Sequence, residues 1–269
     1  QAKEEGKNGI KIPNERDISN ILKTNQEKSS LLIRAIENDE IYPYFQPIKP
    51  ASASNKLVIH ELLMRIHQDG KIVSAYEFIE IAEARGLINS MDLMVIEKAF
   101  KEIQRTQYEG ILFINLSPKS LIVGDFINKI NAFVLKYEIN KEKIVFEITE
   151  RETVKNFSLL EKFVHNLKAD GYKFAIDDFG SGFSSFHYIK KFPIDYVKID
   201  GDFIININKD IKDKAFVNSI VTLAKELKIQ TIAEFVENEE IVDVLNELEI
   251  DYYQGFHIGK PSEKFISFK

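Results

Sequence analysis

"KFAIDDFG", residues 173 to 180, runs from a lysine through the apolar Phe174, Ala175 and Ile176 into two adjacent acids, Asp177 and Asp178. A short apolar run that stops abruptly at charge is the pattern of a buried strand whose C-terminal end opens onto a polar site. Seven other stretches resemble it: "YPYFQPI" (42 to 48), "LVIHELLMRI" (57 to 66), "ILFINLS" (111 to 117), "KIVFEITE" (143 to 150), "DYVKIDG" (195 to 201), "QTIAEFV" (230 to 236) and "DYYQGF" (251 to 256). Between them lie segments of helical spacing, such as Ile96, Ala99, Phe100 and Ile103, or Phe216, Ile220, Leu223 and Leu227. Apolar strands alternating with amphipathic helices imply a parallel sheet covered by helices. Eight such units predict an α/β fold, a closed (β/α)8 TIM-like barrel rather than an open sheet.

One connection departs from this pattern. Only "KPASASNK" (49 to 56) separates the first two strands. That is too short for a parallel crossover and rich in turn formers, so the first strand is expected to run antiparallel to the second. Residues 13 to 40 read as a linker and lead-in helix, centred on Ile21 to Ile36, and residues 41 to 269 as the barrel.

Of the 269 residues 44% are hydrophobic, enough for a large core, and the net charge is -6. An acidic balance argues against direct DNA binding or a general anionic-membrane surface, which call for an excess of Lys and Arg. With no cysteine there are neither disulfides nor thiolate metal sites. No apolar stretch reaches the roughly 20 residues of a membrane span. A cytoplasmic domain is expected, of a parent protein that can itself be membrane-anchored.

The strand ends carry Glu61, Asn115, Glu147 with Glu150, Asp177 with Asp178, Lys198 with Asp200, Glu234 with Glu237, and Gln254. Any one acid after a strand, taken singly, is more often a helix N-cap or a solvated loop charge. In a (β/α)8 barrel, however, all these ends converge on one face, so residues far apart in sequence form one cluster. Neighbours on a strand point to opposite faces, so for Asp177 and Asp178 to share a site the strand is expected to end between them. Crowded carboxylates repel unless cations neutralise them. Oxygen ligands without His or Cys point to hard cations, Mg²⁺ or Mn²⁺, and adjacent aspartates suit two of them. The five histidines (60, 67, 165, 187 and 257) lack ligand spacing and read as packing or surface residues.

These residues resemble the EAL-domain phosphodiesterases that open cyclic di-GMP. The naming Glu-Ala-Leu-x-Arg motif stands as "ELLMR", with Glu61, Leu63 and Arg65 in place, and "FINLSP", "FEITE", "IDDFGSGFSS", "FPIDYVKID", "AEFVE" and "QGFHIGKP" follow in order. The resemblance runs from Tyr42 to Pro261 and implies hydrolysis of cyclic di-GMP to linear pGpG with two divalent cations. Glu61, Asn115, Glu147 and Asp177 would hold one ion; Asp177 would bridge to a second, held also by Asp178 and Glu234. Lys198 would lie beside the attacking water and scissile phosphate, Asp200 would hold Lys198 or a metal-bound water, and Glu150 would brace the "DFGSG" loop. Gln46, Arg65, Glu237 and Gln254 would contact the dinucleotide.

Three positions depart from the family pattern: Leu62 replaces alanine, Phe235 replaces the glycine of Ala-Glu-Gly-Val-Glu, and Ser181 stands where threonine is common. Strand alternation predicts that Leu62 and Phe235 face the helical layer, away from the pocket. "QAKEEGKNGIKI" (1 to 12) resembles the tail of a GGDEF domain, which implies a GGDEF-EAL parent; the family resemblance further implies a homodimer. The rival reading is an inactive EAL domain serving as a cyclic di-GMP receptor or protein-interaction module, against which the complete set of acids and lysine argues. A third is a different barrel enzyme that abstracts a proton next to a carboxylate.

Overall fold

The computed structural model describes residues 15–52, 54–68, 70–117, 120, 125–155, 157–181 and 191–267. The GGDEF-like segment 1 to 12 and His187 lie outside the described residues. A lead-in helix α1 (Glu15–Glu37) precedes β1 (Ile41–Pro50) and β2 (Ile59–Gln68), which pair antiparallel with Gln46 opposite Glu61. There follow β3 (Lys71–Ser74), α2 (Ile79–Ala84), α3 (Ile88–Thr106), β4 (Ile111–Asn115), α4 (Phe126–Lys136), β5 (Ile144–Thr149), α5 (Glu150–Lys155) and α6 (Phe157–Ala169). The chain continues through β6 (Lys173–Phe179), β7 (Tyr196–Ile199), α7 (Gly201–Ile204), α8 (Ile211–Leu227), β8 (Gln230–Ala233), α9 (Glu239–Glu247) and β9 (Tyr252–Gln254).

Strands β2 and β4 to β9 pair in parallel, and β1 closes the ring by pairing antiparallel with both β2 and β9. The barrel and its antiparallel first strand are therefore as the sequence implies. The additional strand, β3, is a hairpin extension of β2 with Arg65 opposite Ser74. It lies at the edge of the sheet and takes no part in closure. Among the described residues no helix is long and apolar enough to cross a membrane.

Two layers of core follow from strand alternation. Ile48, Ile59, Phe113, Val145, Ala175, Tyr196, Ile232 and Tyr252 point inward and fill the barrel. Their neighbours, such as Leu62, Ile114, Phe146 and Phe174, point outward and pack beneath the helices. Leu62 thus lies in the helical layer, as alternation predicts, and nearly all of its surface is buried. Local chemistry sets the helix ends: the Asp210 side chain accepts from Lys212 N at the start of α8, and Asn238 does so from Ile241 N at the start of α9.

Candidate active site

The inward apolar layer positions the site directly, because the side chain two residues further along each parallel strand points the same way one layer higher. Ile59 leads to Glu61, Phe113 to Asn115, Val145 to Glu147, Ala175 to Asp177, Tyr196 to Lys198, Ile232 to Glu234 and Tyr252 to Gln254. On β1 the order is reversed: Gln46 precedes Ile48, because that strand runs the other way. A polar layer therefore lies on an apolar plug, and the plug excludes water from below.

Lys198 stands at the centre, 1% exposed. Its Nζ lies 2.8 Å from Glu147, 2.9 Å from Glu234, 3.1 Å from Asp177 and 3.4 Å from Glu61. Burial alone would lower the lysine pKa, but the surrounding carboxylates reverse this and hold the ammonium well above its ordinary range. Burial pushes Glu147 and Asp177 up, and Glu234 up to about 8. Glu61 is the exception: burial would raise it, yet Lys198 together with hydrogen bonds from Gln254 and Asn115 brings it below the usual carboxylate value. Asn115 Nδ2 donates to Glu61 Oε1 at 2.7 Å, and Gln254 Nε2 donates to Oε2.

Asp178 reaches the same site by a route that strand alternation misses. The strand does not end between the two acids; β6 continues to Phe179, with a shift of register between Ile176 and Phe179. Asp178 adopts φ +54, in the left-handed region, and this irregularity turns its side chain toward its neighbour. Burial and the adjacent Asp177 raise Asp178 to about 6. Each of Asp177, Asp178 and Glu234 offers an oxygen within 4.8 Å of the others, a separation that one cation could span. Glu147 Oε1 is buried and has no hydrogen-bond partner among the described residues. A pure oxygen donor set with an orphaned buried acceptor fits a hard divalent cation.

Glu150 Oε2 accepts from Gly180 N at 2.9 Å, holding the start of the loop that follows β6. Asp200 accepts from Asp202 N and caps α7. Beside the acids opens a cleft of about 490 Å³ lined by Gln46, Glu61, Arg65, Glu234, Glu237 and Gln254 together with Tyr76, Phe235 and Phe256. Gln46 Nε2 donates to Gly259 O, and Arg65 Nη1 donates to Met64 O. All thirteen residues singled out in the sequence lie among the described residues.

Phe235 contradicts its expected placement. Strand β8 stops at Ala233, so alternation no longer applies two residues later, and Phe235 takes φ +52. Its ring lies against Gly201, is 55% exposed and faces the cleft instead of the helical layer. Sequence reasoning also missed Tyr76 and Phe256. Phe256 sits two residues after Gln254, where a cleft wall was to be expected; Tyr76 belongs to the unforeseen β3 excursion.

The EAL domain family matches residues 31–261. The chain is 38% identical over 265 residues to cyclic di-GMP phosphodiesterase PdeB of Shewanella oneidensis, covering 97% of this chain and 31% of that protein. It is 38% identical over 244 residues to cyclic di-GMP phosphodiesterase PdeA of Borreliella burgdorferi, covering 90% of this chain and 36% of that protein. The chain thus spans about a third of the length of these curated relatives. Among solved structures, the PaMucR phosphodiesterase in complex with c-di-GMP superposes with a TM-score of 0.81 at 26% identity, covering 88% of this chain and 97% of that one. The strand order, the acids at the strand ends and these likenesses lead to one conclusion: the chain belongs to the EAL domain family.

Proposed function

We propose that this chain is a metal-dependent phosphodiesterase that hydrolyses one ester of cyclic di-GMP to give linear pGpG. The observation that carries the proposal is the ring of carboxylates around Lys198, built at the ends of successive barrel strands and opening into a cleft large enough for a nucleotide. Glu61, Asn115, Glu147 and Asp177 would hold one Mg²⁺ or Mn²⁺, and Asp177, Asp178 and Glu234 a second. Bound there, the ions supply Lewis-acid stabilisation of phosphoryl oxygens and lower the pKa of a water.

The chain's own residues supply the rest. Lys198 brings a permanent positive charge to the place where negative charge accumulates on the transferring phosphoryl group. The Asn115 and Gln254 amides fix the Glu61 carboxylate in one orientation, so its lone pairs are set before substrate arrives. Arg65 offers a planar fork to a phosphate or a base edge, with Gln46 and Glu237 on the same cleft wall. Glu150 anchors Gly180 and with it the end of β6 that carries Asp178. The same reading places the domain in the cytoplasm, downstream of a GGDEF domain, and in a homodimer.

The test is incubation of the purified chain with cyclic di-GMP and Mg²⁺ against an EDTA control, with products identified by chromatography and mass. Linear pGpG formed only with free metal is the expected result. Intact dinucleotide under both conditions, with binding still detected, would make the domain a receptor instead.

A further inference from the structure

We infer that Phe235 is a stacking platform for a purine base, an affinity-determining side chain that this chain adds to the cleft. The inference rests on the dinucleotide reading above and deepens it.

The backbone supplies the first observation. Phe235 sits at φ +52, a left-handed conformation that a bulky aromatic residue adopts only at a cost and that glycine adopts freely. Strain of this kind persists where the surroundings enforce it, and it clusters at ligand-binding sites. The second observation is how the ring is held. A Cβ built on Gly201 would come within 2.3 Å of Phe235 Cδ2 and 2.6 Å of Cγ, so the ring lies directly on the bare backbone of that glycine. With that support on one side, the side chain is nonetheless 55% exposed, and it lines the cleft beside Glu234.

The third observation is its company. Phe256, 62% exposed, and Tyr76, 92% exposed, line the same cleft. Large aromatic rings left uncovered around one pocket are apolar surface awaiting a planar partner. Stacking on such rings is tolerant of base identity, because every nucleobase presents a π-face. Phe235 alone of the three joins an enforced backbone to a ring braced from behind, so its orientation is set before any ligand arrives. Pre-set orientation favours affinity, since little side-chain freedom is lost on binding.

The chain has no tryptophan, so Phe235→Trp introduces a single tryptophan at the platform, which can be excited on the red edge of its absorption where the ten tyrosines do not absorb. Titrating that variant with cyclic di-GMP in EDTA, where no turnover occurs, is expected to quench its emission through contact with guanine. Under the same conditions Phe235→Gly is expected to weaken dinucleotide affinity about tenfold. Its thermal midpoint should stay at or above the wild-type value, because glycine relieves the left-handed strain. A purely structural phenylalanine would give the reverse pattern, a lower midpoint with affinity within twofold of wild type, and that result overturns the inference. Unquenched emission at saturating dinucleotide overturns it as well. Quenching and weakened Phe235→Gly binding in a chain that forms no pGpG with Mg²⁺ would leave the platform standing and remove the enzymatic reading instead.

Discussion

The ammonium of Lys198 lies 2.8 Å from the Glu147 carboxylate at the centre of the barrel mouth, and both side chains are almost wholly removed from water. A buried ion pair is costly to break because it leaves an uncompensated charge. Lys198→Met is therefore expected to destabilise the metal-free protein by about 3 kcal/mol. The loss should grow as pH rises and the acids ionise, and Mg²⁺ should recover part of it. Turnover should fall by about 10²- to 10³-fold, as for loss of a charge that acts in the transition state. Thermal melts with EDTA and with Mg²⁺, beside an initial-rate assay, check both parts.

Glu61 accepts from Asn115, Gln254 and Lys198. Glu61→Ala should abolish turnover while retaining the far-ultraviolet circular dichroism of the barrel. It also orphans two amides, so the thermal midpoint should drop, by the equivalent of about 2 kcal/mol. A variant with full activity would refute the assignment of Glu61 to the metal set.

Asp92 on α3 is buried, and desolvation raises it to about 7 despite a hydrogen bond from Ser120. Its folded pKa lies above the unfolded value, so its contribution to stability is fully present below pH 3.8 and lost as pH rises through 7. Asp92→Asn keeps an acceptor for Ser120 and cannot ionise. At pH 8 it should be more stable than wild type by about 2 to 4 kcal/mol, with the gap closing toward pH 4. Denaturant midpoints at the two pH values decide this.

His60 pulls the other way. Burial lowers it to about 4; Nε2 accepts from Ile266 N, and Nδ1 is bonded to the Tyr108 hydroxyl. Because the folded pKa lies below the unfolded 6.5, the unfolded chain takes up a proton first as pH falls. Stability should decline by about 3 kcal/mol between those two pKa values, and His60→Gln should flatten this slope. The difference between variant and wild type, measured across that window, isolates the histidine from the acids.

Gly201 and Phe235 are matched in shape, so their substitutions should not add. Gly201→Ala alone should displace the ring and raise KM for the dinucleotide about tenfold. In a Phe235→Gly background the same alanine should cost little further. A double-mutant cycle in KM with no coupling between the two sites would contradict the contact.

The barrel and most of its site were legible in the sequence because both rest on one regularity, the period of two along a strand. Ala175 and Asp177, or Tyr196 and Lys198, are separable into plug and site by counting alone. The reading failed where the backbone leaves that period. Asp178 and Phe235 are both in the left-handed region, one at a shift of register and one beyond a strand end, and no side-chain pattern announces either. Tyr76 was missed for a related reason: the hairpin formed by β3 is too short and too exposed to show a hydrophobic period.

The closure of the ring bears on how this protein is made. Ile48 pairs with Gln254, and Gln254 in turn holds Glu61, so the second strand's acid waits for a residue 193 positions later in the chain. Contacts of such long range form late and slowly. A nascent chain carries Glu61, Asn115 and Glu147 well before Gln254 is synthesised, and during that interval Glu61 Oε2 lacks its Gln254 donor. Synthesis through Gln254, ahead of any supply of metal or nucleotide, is the first condition for this centre to exist.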